Sequence, residues 1–154
     1  MKIARYNVAA LVAALVVGLG ARGALAASTT PEDTVKQYLK AMQDQKYDEA
    51  YKYISKAMAG NKDAETWAKE QKYMMQTAEV KIFKYDVYPA KVEGEKAKVP
   101  NILSSQDKFL NQLGVGEHEL YTLVKEGGRW KIDRQVLLDK ADQAKWFPPD
   151  AREK

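Results

Sequence analysis

Few residues in this sequence can move a proton. A carboxylate beside a tyrosine hydroxyl is one arrangement that can do so, and Asp86 with Tyr38 or Tyr85 is the best such pair on offer. Asp86, however, alternates with Phe83, Tyr85 and Val87. If those side chains face a core, Asp86 faces water. His118 is the single histidine, set between Glu117 and Glu119 and close to Gly114 and Gly116. That is the setting of an exposed loop histidine. With one histidine and no cysteine in 154 residues, neither a catalytic triad, a thiolate nucleophile nor a zinc site has its ligands at workable spacing. The sequence therefore assigns no catalytic residue, no metal and no cofactor.

The aromatic residues are more suggestive. Nine tyrosines and three tryptophans are many for this length, and several fall on apolar stripes. Tyr38, Tyr51, Trp67, Met74, Phe83, Tyr85 and Tyr121 are the candidate lining of an apolar ligand pocket with polar tips for orientation. The competing expectation is that they simply fill a core. Lys52, Lys56, Lys62, Lys69 and Lys72 are interleaved with acids and read as a solvated face. Trp146-Phe147-Pro148-Pro149 could dock a partner, but is expected to fold back and cover an open end of the domain, since an exposed Trp-Phe pair is unfavourable.

The first residues read as an address. Lys2 and Arg5 precede an apolar run over 8–19, and Ala24-Leu25-Ala26 supplies small residues at a cleavage site. The run is shorter than a bilayer span needs and is broken by glycine and Arg22; an uncleaved anchor is the competing reading. The reading is a signal peptide over 1–26, a domain over 27–138 and a tail over 139–154, in a periplasmic or secreted protein. Cleavage would leave 128 residues and lower the formal net charge from +4 to +1, because the leader holds three basic residues and no acid. So small a surplus gives no reason to expect nucleic acid. No stable membrane insertion is expected after cleavage.

The elements that must position these residues follow from periodicity. Thr30, Pro31 and Asp33 form a helix start, and Val35, Tyr38, Leu39 and Met42 make one buried stripe. Tyr47, Ala50, Tyr51, Ile54 and Met58 predict a second helix with Lys52, Ser55 and Lys56 outward, stopped at Gly60-Asn61. Asp63 caps a third, with Trp67, Ala68, Gln71, Met74 and Met75 along one side. From Glu79 the period becomes 2, predicting a strand with Phe83, Tyr85 and Val87 inward. A hairpin at Gly94 leads to Ala97 and Val99, and strands at 120–125 and 130–138 meet at Gly127-Gly128. Residues 101–119 read as a mobile loop with a short helix around Phe109. Helices first and antiparallel strands after give the α+β class.

Three stretches, Thr30-Pro-Glu-Asp-Thr-Val-Lys-Gln-Tyr-Leu39, Lys46-Tyr-Asp-Glu-Ala-Tyr-Lys-Tyr-Ile-Ser55 and Gly127-Gly-Arg-Trp-Lys-Ile132, resemble the NTF2-like superfamily, and most of all its small exported bacterial members of unassigned function. The resemblance implies a cone-shaped, cystatin-like fold, with three N-terminal helices packed on a curved antiparallel sheet. It also implies a cone interior that holds a ligand, a substrate or side chains. The leading expectation is an exported, non-catalytic binding or interaction module whose partner is a small apolar ligand or an envelope protein. The alternatives are an isomerase- or dehydratase-type enzyme with a buried carboxylate, and a structural accessory that forms a homodimer through its sheet. Asp86 or another carboxylate buried beside a tyrosine hydroxyl would overturn the preference for non-catalytic binding. A cone filled by side chains would remove both ligand readings.

Overall fold

The computed structural model describes residues 29–153, and the expected signal peptide at 1–26 lies outside the described residues. Helix α1 (Pro31–Gln43) starts as its sequence predicts, with the Asp33 amide donating to the Thr30 hydroxyl at 3.1 Å and Pro31 in the first turn. Val35, Tyr38, Leu39 and Met42 are all buried along it. Helix α3 (Ala64–Thr77) is capped by Asp63, which accepts the Thr66 amide at 2.9 Å. Trp67 is its one fully buried residue.

Between them the prediction needs correction. Helix α2 (Tyr47–Tyr51) is only a little over one turn long. Beyond it the chain pairs with the edge of the last strand. The Ser55 amide donates to the Ile132 carbonyl and the Ile132 amide to the Tyr53 carbonyl, both at 2.8 Å. A free sheet edge offers hydrogen bonds that a short helix must otherwise supply, and the edge wins. Ser55, expected outward, is fully buried. Its hydroxyl donates to Asp133 at 2.7 Å and accepts the Met58 amide at 3.0 Å.

The sheet is antiparallel. Its strands are β1 (Lys81–Val87), β2 (Lys91–Glu93), β3 (Lys96–Gln106), β4 (Gly116–Glu126) and β5 (Arg129–Leu137). The order across the sheet is β1-β3-β4-β5, with β2 also paired to β3. The β4–β5 turn puts Gly127 and Gly128 at φ 57° and 75°, the left-handed pair that a tight hairpin needs. Strands β3 and β4 run further than the sequence suggests, so the uncertain stretch shrinks to a loop at 107–115. Register slips around Phe83 in β1 and around Asp133 in β5.

The sheet is curved and unclosed, and α1 packs on one face of it. Ala97, Val99, Tyr121, Leu123 and Ile132 form the main core there. The tail forms α4 (Lys140–Trp146) and a 3₁₀ turn (Pro149–Ala151). It folds back, but onto the opposite face, where Phe147 and Ala151 bury Ile102. No helix among the described residues is long and apolar enough to cross a membrane.

Candidate functional site

The helix face of the sheet carries a polar cluster inside the apolar core. Alternation along β4 puts Glu119 and Tyr121 on the same side, and cross-strand pairing sets Asn101 beside Glu119 and Gln135 beside Tyr121. Glu119 is only 1% exposed. Its carboxylate accepts from Asn101 Nδ2 at 2.9 Å, from the Tyr121 hydroxyl at 2.9 Å and from the Gln135 amide. Burial raises its pKa, the three hydrogen bonds oppose the rise, and the Glu117 carboxylate adds to it. The same burial, with the nearby Glu119 charge, raises the Tyr38 and Tyr121 hydroxyls. Asn101 Oδ1 is buried without a partner.

This is the buried carboxylate beside a tyrosine, but it is not the one expected. Asp86 lies on the other face, opposite Ile102, and pairs with Lys84 at 2.9 Å. The missed signal was the strand start. Beginning β4 at Gly116 instead of Leu120 places Glu119 in phase with Tyr121 and Leu123. His118 is likewise no loop residue. It is buried in β4, pointing away from Glu119, with Nε2 donating to the Ala151 carbonyl at 2.7 Å.

The seven candidate lining residues are spread over separate packing environments. Tyr38 and Tyr121 are buried edge to face, with ring centroids 6.4 Å apart, and with Val99 and Leu123 they occupy the space between α1 and the sheet. Tyr51 packs on Trp67 between α2 and α3, with centroids 5.9 Å apart. Tyr85 is half-buried against the core. Met74 is 51% exposed, because α3 buries only its Trp67 side. Phe83 is 54% exposed, because it is the extra residue in the β1 irregularity; Ile82 takes the inward place. Concavities large enough for a ligand lie on the outside instead. One of about 500 Å³ lies between α2 and α3 beside Tyr47 and Ala68, and one of about 450 Å³ lies at the 107–115 loop.

That loop is the second feature of note, and it contains no helix around Phe109. Asp107 accepts the amides of Phe109 and Leu110 at 2.7 Å and of Asn111 at 3.0 Å. These bonds hold its pKa down. Asn111, itself buried, donates to the carbonyls of Ser105 and Val115 and accepts the Val115 amide at 2.9 Å. The Lys108 amide bonds the Ala78 carbonyl at the end of α3. The frame is polar and fixed, yet what it displays is apolar. Leu110 and Leu113 are 93% and 90% exposed, with Phe109, Val115 and Phe83 exposed around them. The Phe83 ring lies against Gly114, where a methyl group would sit 3.7 Å from it.

No family model matches the sequence, and no curated protein matches it. Solved structures do. A SEC-C motif containing protein from Rhodopseudomonas palustris superposes with a TM-score of 0.57 at 14% identity over 72% of this chain and 80% of its own. A candidate ketosteroid isomerase from Shewanella frigidimarina gives 0.50 at 16% identity over 71% and 95%. An NTF2-like protein of unknown function from Cytophaga hutchinsonii gives 0.45 at 13% identity over 74% and 95%. The chain spans only 37% of a longer Bdellovibrio bacteriovorus protein that it also matches. At these identities the likeness is one of fold. The chain has the α+β, NTF2-like fold.

Proposed function

We propose that this NTF2-like chain is an exported, non-catalytic interaction module that offers the loop at 107–115 to a protein of the cell envelope. One observation carries this reading: Leu110 and Leu113 stand almost fully in solvent on a loop braced by Asp107 and Asn111. Exposed leucines on a floppy loop would collapse onto the nearest apolar surface. Here the backbone is held so that they cannot, and pre-held apolar side chains are what make efficient anchors at a protein interface. The apolar leader residues support an envelope location. The test is photo-crosslinking in the source cell, with the crosslinker at Leu110 or, as a control, at Gly127. A discrete adduct from Leu110 alone, lost in Leu113→Asp, is the expected result. No adduct, or equal adducts from both ends, overturns the proposal.

A second reading has its own observation. Glu119 beside the Tyr121 hydroxyl is an acid–base pair, and one structural neighbour is described as a candidate ketosteroid isomerase. That pair is the arrangement expected to count against a non-catalytic role; it ranks second because Tyr38 and Tyr121 fill the adjoining space and the Gln135 amide already bonds the carboxylate. Native mass spectrometry of protein from its own envelope separates the two readings. A retained small molecule that is lost in Glu119→Gln would favour the enzyme.

A further inference from the structure

The face of the sheet away from the helices bears a slot formed by Tyr88, Ile102, His118 and Leu138, and the tail of the same chain fills it. The Phe147 ring stands edge to face against both Tyr88 (5.1 Å, 82°) and His118 (4.8 Å, 89°). A backbone carbonyl can only accept, so the 2.7 Å contact between His118 Nε2 and Ala151 is a donated N–H bond. Trp146 lies beside the slot with the Lys91 ammonium 4.2 Å from its ring centre.

Much of the tail's order is its own. Asp139 caps α4 through the Asp142 amide at 2.9 Å, and Arg152 Nε donates to the Phe147 carbonyl at 2.9 Å. Phe147 and Ala151 belong to a core cluster separate from the main one. A short, self-ordered segment held by a buried ring, the buried Ala151 and two carbonyls that accept from His118 Nε2 and Lys91 Nζ is how a domain holds a peptide. Residues 147–151, Phe-Pro-Pro-Asp-Ala, give the recognised chemistry: an aromatic ring, then Pro148 in extended backbone and Pro149 opening the 3₁₀ turn, both pre-set at little entropic cost.

We propose that this slot is a recognition site for aromatic–proline segments, occupied in cis by the chain's own tail, and that a partner polypeptide carrying such a segment binds by displacing it. The site is distinct from the 107–115 loop and does not depend on that loop's role.

The test uses the full chain and a fluorescent peptide of residues 144–153. In the wild type the peptide competes with a tail whose effective concentration is on the order of millimolar. Phe147→Ala takes the ring out of the slot without removing the tail. It should bind the peptide about tenfold or more tighter than wild type, and a peptide carrying the same Phe147→Ala change should bind neither. Equal binding, or none, overturns the proposal. A folding-independent measurement stands beside it: in the wild type, amide exchange at Phe147 and Ala151 should run about tenfold or more faster than at Tyr121 and Leu123. If the tail exchanges only with the core, it is not displaceable and the proposal falls. Concentration-dependent dimers that vanish in Phe147→Ala would assign the slot to a second copy's tail and overturn the partner reading.

Discussion

At the scale of single residues, Glu119 is the most informative. Its pKa is raised in the folded state, so above the ordinary glutamate value of 4.5 the folded chain retains a proton that the unfolded chain has lost. Stability should therefore fall as pH rises through that window and level off once the folded carboxyl ionises. Glu119→Gln keeps the shape and removes the charge. Denaturant titrations across a pH series should show this fall in wild type and a flatter profile in the variant. Glu119→Ala is different in kind. It strips the acceptor from two buried donors, Asn101 Nδ2 and the Tyr121 hydroxyl, and should cost roughly 2–5 kcal/mol. Ser55→Ala should cost about 1–2 kcal/mol, read by the same titration, because Asp133 and the Met58 amide both lose their partner. These residues were hard to see in the sequence for one reason. Whether a polar side chain is inside depends on strand phase, and phase follows from where a strand begins. Glu119 and Asn101 lie on the inward phase once β3 and β4 are given their full lengths. Ser55 had no such clue, because its burial comes from a sheet edge formed by residues far along the chain.

At the scale of elements, what could be read was what local chemistry dictates. The Thr30 and Asp63 caps and the turns at Gly94 and Gly127–Gly128 all lie where their residues require. What could not be read was decided by partners distant in sequence: the early end of α2 and the irregularity that turns Phe83 outward. The 107–115 loop falls between these cases. Glycine and polar residues suggested mobility, but the same polar residues close on the backbone and brace it. Asn111→Ala should therefore speed amide exchange across 109–115 while costing the whole fold about 1–3 kcal/mol. Leu113→Asp, by contrast, should leave stability within about 0.5 kcal/mol, since a side chain 90% exposed holds little of the fold. A melting-temperature loss comparable to that of Asn111→Ala would mean that Leu113 packs in solution.

At the scale of the whole molecule, the sheet is shared by two unequal cores, the main one under the helices and a small one under the tail. Helix α3 joins the main core chiefly through Trp67, so Trp67→Ala should cost about 3–5 kcal/mol and loosen α3 before the strands, as amide exchange would report. Helix α1 runs the length of the main core and ties its two ends. Near its start, the Glu32 carboxylate accepts the Ala90 amide at 2.7 Å; at its finish, the Gln43 amide reaches the carbonyls of Ile82 and Phe83 at 3.1 Å. Thirteen residues of helix measure about 20 Å. Residue 30 and the apolar loop beside Phe83 thus lie at opposite poles. A chain attached to a sensor chip at residue 30 would hold the leucines of that loop out toward the analyte, whereas coupling through lysines scattered over the surface would bury them in many of the attached molecules.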